Sequence, residues 1–120
     1  MPGIFRLSVD LMLKEIEECL NLGLGAFDIF PAVEDKWKDN TATKSYDPDF
    51  FYLKALKEIK KRFPEACIMT DVAMDPYSSD GHDGLVKDGK SRIFKKDAGF
   101  KRILGSLDNE LHGEVCQWLL

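Results

Sequence analysis

The carboxylates of Asp71, Asp75, Asp80 and Asp83 and the imidazole of His82 crowd one stretch, Thr70-Asp71-Val72-Ala73-Met74-Asp75-Pro76-Tyr77-Ser78-Ser79-Asp80-Gly81-His82-Asp83-Gly84-Leu85. The apolar run before it, Cys67-Ile68-Met69, predicts a strand buried in a sheet. Polar groups at the carboxyl end of such a strand are where α/β proteins place chemistry. Asp71, Ala73 and Asp75 alternate, so their side chains point to one side above the sheet, and His82 and Asp83 return from the loop. Three readings fit this spacing. Oxygen and imidazole donors converging there suit a divalent ion. The same carboxylates suit the amino group of a substrate. A solvated acidic turn built on Pro76, Gly81 and Gly84 satisfies it as well. The pattern is neither the calcium loop of an EF-hand nor a zincin helix. Asp71 is the sharpest candidate, because a carboxylate directly after a buried run is paired or catalytic; left buried and unpaired it costs on the order of several kcal/mol.

Other polar residues carry less. Asp28 sits inside a short apolar stretch, either as a second polar group at the sheet end or as a hydrogen-bonded structural residue. His112 falls in a helical pattern as a surface residue, Trp37 and Trp118 read as packing aromatics, and Lys36, Lys38 and Lys44 read as solvated surface. The chain has no phosphate-binding glycine loop, nucleophile elbow or paired-cysteine metal knuckle.

The elements that must position the acidic loop follow from periodicity. From Val9 to Leu22, the residues Val9, Met12, Leu13, Ile16, Cys19 and Leu20 fall at helical spacing opposite Lys14, Glu15, Glu17 and Glu18, which predicts an amphipathic helix. Ser8 stands as its N-cap, Asp10 suits the dipole in the first turn, and Gly23 suits a left-handed stop. A strand follows over Ala26–Phe30, ended by Pro31. Residues 31–48 lack an apolar period and read as a long surface loop. Asp47-Pro48-Asp49 then offers a cap and a proline at the first helical position, and Phe50, Leu53, Leu56, Ile59 and Phe63 mark a second amphipathic helix stopped by Pro64. The second strand runs from Ala66 to Val72. Helix, strand, helix, strand with short turns predicts parallel-sheet α/β architecture. After Lys90 the alternation stops: Ser91-Arg92-Ile93-Phe94-Lys95-Lys96 is basic, and Leu107, Leu111, Val115 and Leu119 predict a separate helix begun by Asp108.

Bulk composition narrows the class. With 44% hydrophobic and 32% charged residues in 120, the chain has the material for one soluble globular domain with a modest core. A net charge of −4 without a dense basic block argues against nucleic acid or an anionic membrane as partner. No apolar run approaches a membrane span and no signal-like amino terminus is evident, which makes the cytoplasm the expected location. Cys19, Cys67 and Cys116 are widely spaced; they read as small buried hydrophobes rather than a disulfide framework.

Three segments together resemble a known family. Met1-Pro2-Gly3-Ile4-Phe5-Arg6, Arg62-Phe63-Pro64-Glu65, and above all Thr70 to Ser79 with Gly81-His82-Asp83-Gly84-Leu85-Val86 look like porphobilinogen synthase, also called 5-aminolevulinate dehydratase, over Met1 to Lys90. The resemblance implies part of a (β/α)₈ TIM barrel that condenses two 5-aminolevulinate molecules into porphobilinogen, in a family of homo-oligomers. It implies substrate-binding roles for Asp71, Asp75 and Asp83, with Asp71 at the position that contacts the substrate amino group. Zinc-dependent members carry cysteines where this chain has Ala73, Asp75 and Asp83, so a zinc thiolate site is absent, and the aspartate-rich pattern implies magnesium or no active-site metal. Asp80 stands where the family more often has histidine.

The departures shape the expectation. A closed barrel takes about 250 residues, and Met1 matches an internal methionine of the family. The two lysines that form Schiff bases with substrate lie, in the family, beyond the point equivalent to Lys90. Nothing in the tail from Ser91 to Leu120 matches their motifs, so neither role falls to Lys95, Lys96 or Lys101. The expectation is a partial family member, 1–90 barrel-like and 91–120 unmatched, cut, fused or frameshifted at Lys90 and inactive alone. The competing expectation is a non-catalytic module whose acidic loop holds a divalent ion or docks on a partner.

Overall fold

A computed structural model of the chain describes residues 2–71, 73–88 and 90–92. The first helix, α1 (Val9–Asn21), buries Leu13 and Ile16 and half-buries Val9, Met12, Cys19 and Leu20, as its apolar period requires. Its amino end differs from expectation: Ser8 has extended backbone but gives no side-chain cap, and its hydroxyl donates instead to the Asp10 carboxylate. The carboxyl end follows the glycine rule. Leu24 N–H donates to the Cys19 carbonyl at 2.9 Å and Gly23 N–H to Leu20 at 2.9 Å, with Gly23 at φ +86°. This is a Schellman closure, which needs a left-handed residue at that point.

The closure delivers β1 (Ala26–Asp28), which pairs in parallel with β2 (Cys67–Met69), Phe27 opposite Ile68 and Asp28 opposite Met69. Between them α2 (Phe51–Arg62) makes the crossover that parallel strands require. Its predicted apolar stripe is buried throughout, Phe50, Leu53, Leu56, Ile59 and Phe63 alike, and Tyr52 and Ala55 are buried beside it. Leu53, Leu56 and Ile59 are the largest fully buried side chains, each stabilising the fold by roughly 1.5–3 kcal/mol through area removed from water. Ile59 and Phe63 meet Leu13 and Ile16 of α1 in one core cluster, while Leu53 and Leu56 meet Met74 and Tyr77 in a second. Ile68 of β2 packs against both.

The strands are less buried than their composition suggests. Each of β1 and β2 alternates exposed, half-buried, exposed, so only Phe27 and Ile68 face the helices. Cys67 is exposed, correcting its reading as a buried hydrophobe: it shares with Met69 the sheet face that, among the described residues, no helix covers. Cys19 is half-buried, and Cys116 lies outside the described residues, as do His112, Trp118 and the expected tail helix.

Residues 31–48 are not a free surface loop. They hold two 3-10 turns, Asp35–Trp37 and Thr43–Ser45, and are sewn to the acidic loop by a parallel bridge between Asp39 and Ser78. There Asp39 N–H donates to the Tyr77 carbonyl at 3.2 Å, and Ser79 N–H to the Asp39 carbonyl at 3.0 Å. Ala42 is fully buried with left-handed backbone, φ +51°, a conformation costing roughly 1–2 kcal/mol in a residue with a Cβ. The Asp39 carboxylate offsets that strain by accepting Thr41 N–H at 2.8 Å and Thr43 N–H at 3.2 Å, on either side of Ala42. Lys44 is half-buried, paired with Asp47 and lying over the rings of Trp37 and Phe50, which corrects its reading as solvated surface. Asp47 accepts Asp49 N–H at 3.0 Å, so Asp47-Pro48-Asp49 forms a turn ahead of α2 and Phe50 is the residue at the N-cap. Beyond the acidic loop, β3 (Leu85–Lys87) and β4 (Lys90–Arg92) make an antiparallel hairpin, which the sequence reading did not anticipate.

Candidate functional site

The site lies where β1 and β2 end. Past β2 the chain passes Asp71 and enters a 3-10 turn, Asp75–Tyr77, with Pro76 fixing the φ of its second residue. The turn is anchored inward by Met74 and Tyr77, both buried, and outward by Asp83. Asp83 Oδ1 accepts Met74 N–H at 2.8 Å and Asp75 N–H at 3.2 Å, so the returning loop binds the free amide groups at the start of the turn. Ser78, buried, accepts Asp80 N–H at 3.2 Å on its Oγ, and Gly81 turns the chain back at φ +65°.

Asp71, Asp75 and Asp83 thereby come within electrostatic reach of one another. The Asp75 carboxyl is held above its ordinary value of 3.8, first by burial, then by the negative charge of Asp83, by a hydrogen bond with the Asp83 carboxylate, and by the charge of Asp71. A hydrogen bond between two carboxyl groups needs a shared proton, which is why it favours protonated Asp75. The cluster is exposed at each of the three residues and is a place where negative charge is concentrated beyond what the aspartates prefer. A cation arriving there relieves the repulsion.

Tyr52, in the first turn of α2, is the residue that the sequence reading missed. Its hydroxyl donates to the Ile29 carbonyl at 2.7 Å, tying the end of β1 to the helix. Burial, then the charges of Asp28 and Asp71, push the phenol well above its ordinary value, so the proton stays available for that bond. Tyr52 therefore lies within electrostatic reach of the carboxylates at the ends of β1 and β2. The available signal was an aromatic hydroxyl beside Leu53 on a buried stripe, since a buried phenol must find an acceptor. Asp39 was missed too; its network with Thr41 and Thr43 spans only local positions, but nothing local foretells the bridge to Ser78.

His82 and Asp80 are exposed. Among the described residues no three of His, Cys, Asp and Glu converge on a point that holds a metal ion, and Asp83 Oδ1 is already engaged by two amide groups. Among the described residues the donor set does not fit a divalent ion. Nor is any helix of the described residues long and apolar enough to cross a membrane.

A parallel β-α-β unit with a carboxylate cluster leaving its second strand defines a mixed α/β protein, its acidic residues grouped at the strand carboxyl ends where such folds place ligands. Comparison gives the family. The family model for delta-aminolevulinic acid dehydratase matches residues 1–105, and the chain belongs to that family, as the resemblance implied. It is 42% identical over 90 residues to the delta-aminolevulinic acid dehydratase of Chlamydia pneumoniae, covering 75% of this chain and 27% of that protein. It is 41% identical over 90 residues to that of Archaeoglobus fulgidus, again 75% and 27%, and 42% identical over 91 residues to the chloroplastic enzyme of Hordeum vulgare, 74% and 21%. The chain thus spans about a quarter of the length of the curated relatives it matches. Among solved structures, delta-aminolevulinic acid dehydratase (porphobilinogen synthase) of Toxoplasma gondii ME49, in complex with its reaction product porphobilinogen, matches with a TM-score of 0.78 at 38% identity, over 95% of this chain and 32% of that one.

Proposed function

We propose that this chain forms the acid-rich wall of a 5-aminolevulinate site, as one segment of a (β/α)₈ barrel of the porphobilinogen synthase type. In this reading Asp71, Asp75 and Asp83 bind the substrate ammonium and hold it at the carboxyl ends of β1 and β2. The observation that carries the reading is that these three carboxylates lie within electrostatic reach of one another at the turn that Asp83 anchors, with Asp75 held toward protonation by burial first and then by Asp83 and Asp71. Such a cluster binds an ammonium more readily than water does, because one cation relieves several repulsions. Asp71 has the clearest role: no backbone anchor is assigned to it, whereas Asp83 spends one oxygen on the turn.

Condensation of two aminoketones through imine attachment needs a lysine amine as nucleophile. No residue of the chain matches the family's lysine motifs, so in this reading these 120 residues make no pyrrole by themselves and supply binding and orientation rather than covalent chemistry.

The test has two arms. Incubating the purified chain with 5-aminolevulinate should give no pyrrole in a colorimetric assay, and turnover would overturn the claim of inactivity. Replacing the matched stretch of the Chlamydia pneumoniae relative with residues 1–90 of this chain should give an active chimera. In the chimera, Asp71→Asn should lower kcat/KM by roughly 10–100-fold, the worth of one charge-assisted hydrogen bond of about 1.5–3 kcal/mol. A folded chimera without activity, or one indifferent to Asp71→Asn, defeats the reading.

A further inference from the structure

We infer that Tyr52 is a positioning residue for Asp71: its hydroxyl takes the carbonyl that the next rung of the β1–β2 ladder would use, and so releases the Asp71 backbone from the sheet. The inference deepens the reading of Asp71 as an ammonium-binding residue and rests on it for its effect on catalysis. In a parallel ladder a bonded residue donates to one carbonyl of the other strand and accepts from the amide two residues further along it. The rungs here keep that step. Gly25 accepts Cys67 N–H at 2.8 Å, and Ile29 N–H donates to the Met69 carbonyl at 3.1 Å. The next rung is then Asp71 N–H on the Ile29 carbonyl. In its place that carbonyl accepts the Tyr52 hydroxyl at 2.7 Å, and β2 ends at Met69 with Thr70 and Asp71 outside it.

Tyr52 is held firmly for this task. It is 5% exposed, next to the fully buried Leu53, and Ile29 packs against both core clusters. Burial and the charges of Asp28 and Asp71 keep the phenol protonated, so the donor persists through neutral pH. A side-chain donor from α2 thus satisfies the Ile29 carbonyl without committing an amide of the second strand. Asp71, exposed, is left to approach the turn that Asp83 anchors, where its charge acts on Asp75. Drawn into the ladder, it would be fixed instead at strand spacing on the face it would share with Met69. Without the Tyr52 hydroxyl the Ile29 carbonyl lacks a partner, a state costly enough to recruit the Asp71 amide.

Amide exchange followed by NMR on the full chain tests the ladder. In the parent the Asp71 amide should exchange at least about tenfold faster than that of Ile29. In Tyr52→Phe the Asp71 amide should slow by roughly 3–10-fold, opposite in sign to the loosening that loss of the bond brings to β1. The chimera carrying residues 1–90 tests the site. There Tyr52→Phe should raise KM by roughly 2–10-fold, the span of one neutral hydrogen bond, with kcat little changed, because Asp71 holds the ammonium before and during reaction alike. In an Asp71→Asn background Tyr52→Phe should do nothing further, since its effect passes through that carboxylate. A parent Asp71 amide as protected as that of Ile29, an Asp71 amide that does not slow in Tyr52→Phe, or an equal loss with and without the Asp71 carboxylate would overturn the inference. A slowed Asp71 amide beside a chimera indifferent to Asp71→Asn refutes the functional reading and leaves the hold of Tyr52 on the strand end standing.

Discussion

Replacing Asp83 by asparagine separates its two jobs. An amide oxygen still accepts Met74 N–H and Asp75 N–H, now held at 2.8 and 3.2 Å, but it brings no charge and does not share a proton with a neighbouring carboxylate. Two of the influences that raise Asp75, the charge and the hydrogen bond of Asp83, vanish together, leaving burial and Asp71. Asp75 should therefore titrate at lower pH in Asp83→Asn than in the parent, read by carboxyl carbon chemical shifts. Asp83→Ala adds the loss of both anchors. The Met74 amide belongs to a buried residue, so this variant should lose about 1–3 kcal/mol in urea unfolding, clearly more than the asparagine variant. The pH dependence has a definite sign. Between 3.8 and the higher folded value of Asp75, the folded protein binds more protons than the unfolded chain, so this group's contribution makes stability fall as pH rises through that window. Asp75→Asn should remove that fall, stabilise the protein at neutral pH and make no difference below 3.8. If Asp75 titrates unchanged or higher in Asp83→Asn, the two carboxylates are not coupled and the cluster described above does not exist.

Three further outcomes test the fold around the site. Leu56→Ala, at a fully buried position, should cost about 2–5 kcal/mol in chemical unfolding by transfer and cavity terms together. Tyr52→Phe removes the bond to the Ile29 carbonyl and should cost about 0.5–1.5 kcal/mol, with faster amide exchange localised at the end of β1. Gly23→Ala imposes a Cβ at φ +86° and should cost about 1 kcal/mol of thermal stability, even though nothing lies within 4 Å of the added carbon.

Both helices were legible because their burial is set by local period: each residue in the stripe from Phe50 to Phe63 was readable and each is buried. The closing glycine of α1 was legible for the same reason, being tied to neighbours in sequence. Capping was less so. Ser8 and Asp47 are sound cap residues whose side chains found nearer partners in Asp10 and in Lys44 with Asp49, a competition that composition does not rank. The strands were located but drawn too long, Ala26–Phe30 and Ala66–Val72 against Ala26–Asp28 and Cys67–Met69, and their burial was overstated, since an apolar triplet does not reveal how many neighbours a sheet offers. Of the site, the acidic loop announced itself by residue type, and the grouping of Asp71, Asp75 and Asp83 followed from alternation plus a return loop. Tyr52 and the docking of residues 31–48 were hidden because both depend on contacts between distant parts of the chain, Tyr52 with Ile29 and Asp39 with Ser78.

The single rung joining Asp39 to Ser78 sets how many residues each of the two irregular segments can contain. Adding one residue between Trp37 and Asp39 would slide the rung by a position, presenting Lys38 or Asn40 to Tyr77 and Ser79 and dragging Ala42 out of its enclosed corner. Residues added between Gly81 and Asp83 would instead lengthen only the outer bend, leaving the Ser78 contacts in place and Asp83 free to return to the Met74 and Asp75 amides. A library of random insertions should accordingly show a sharp boundary at Gly81, with sequence length fixed before it and tolerant just after.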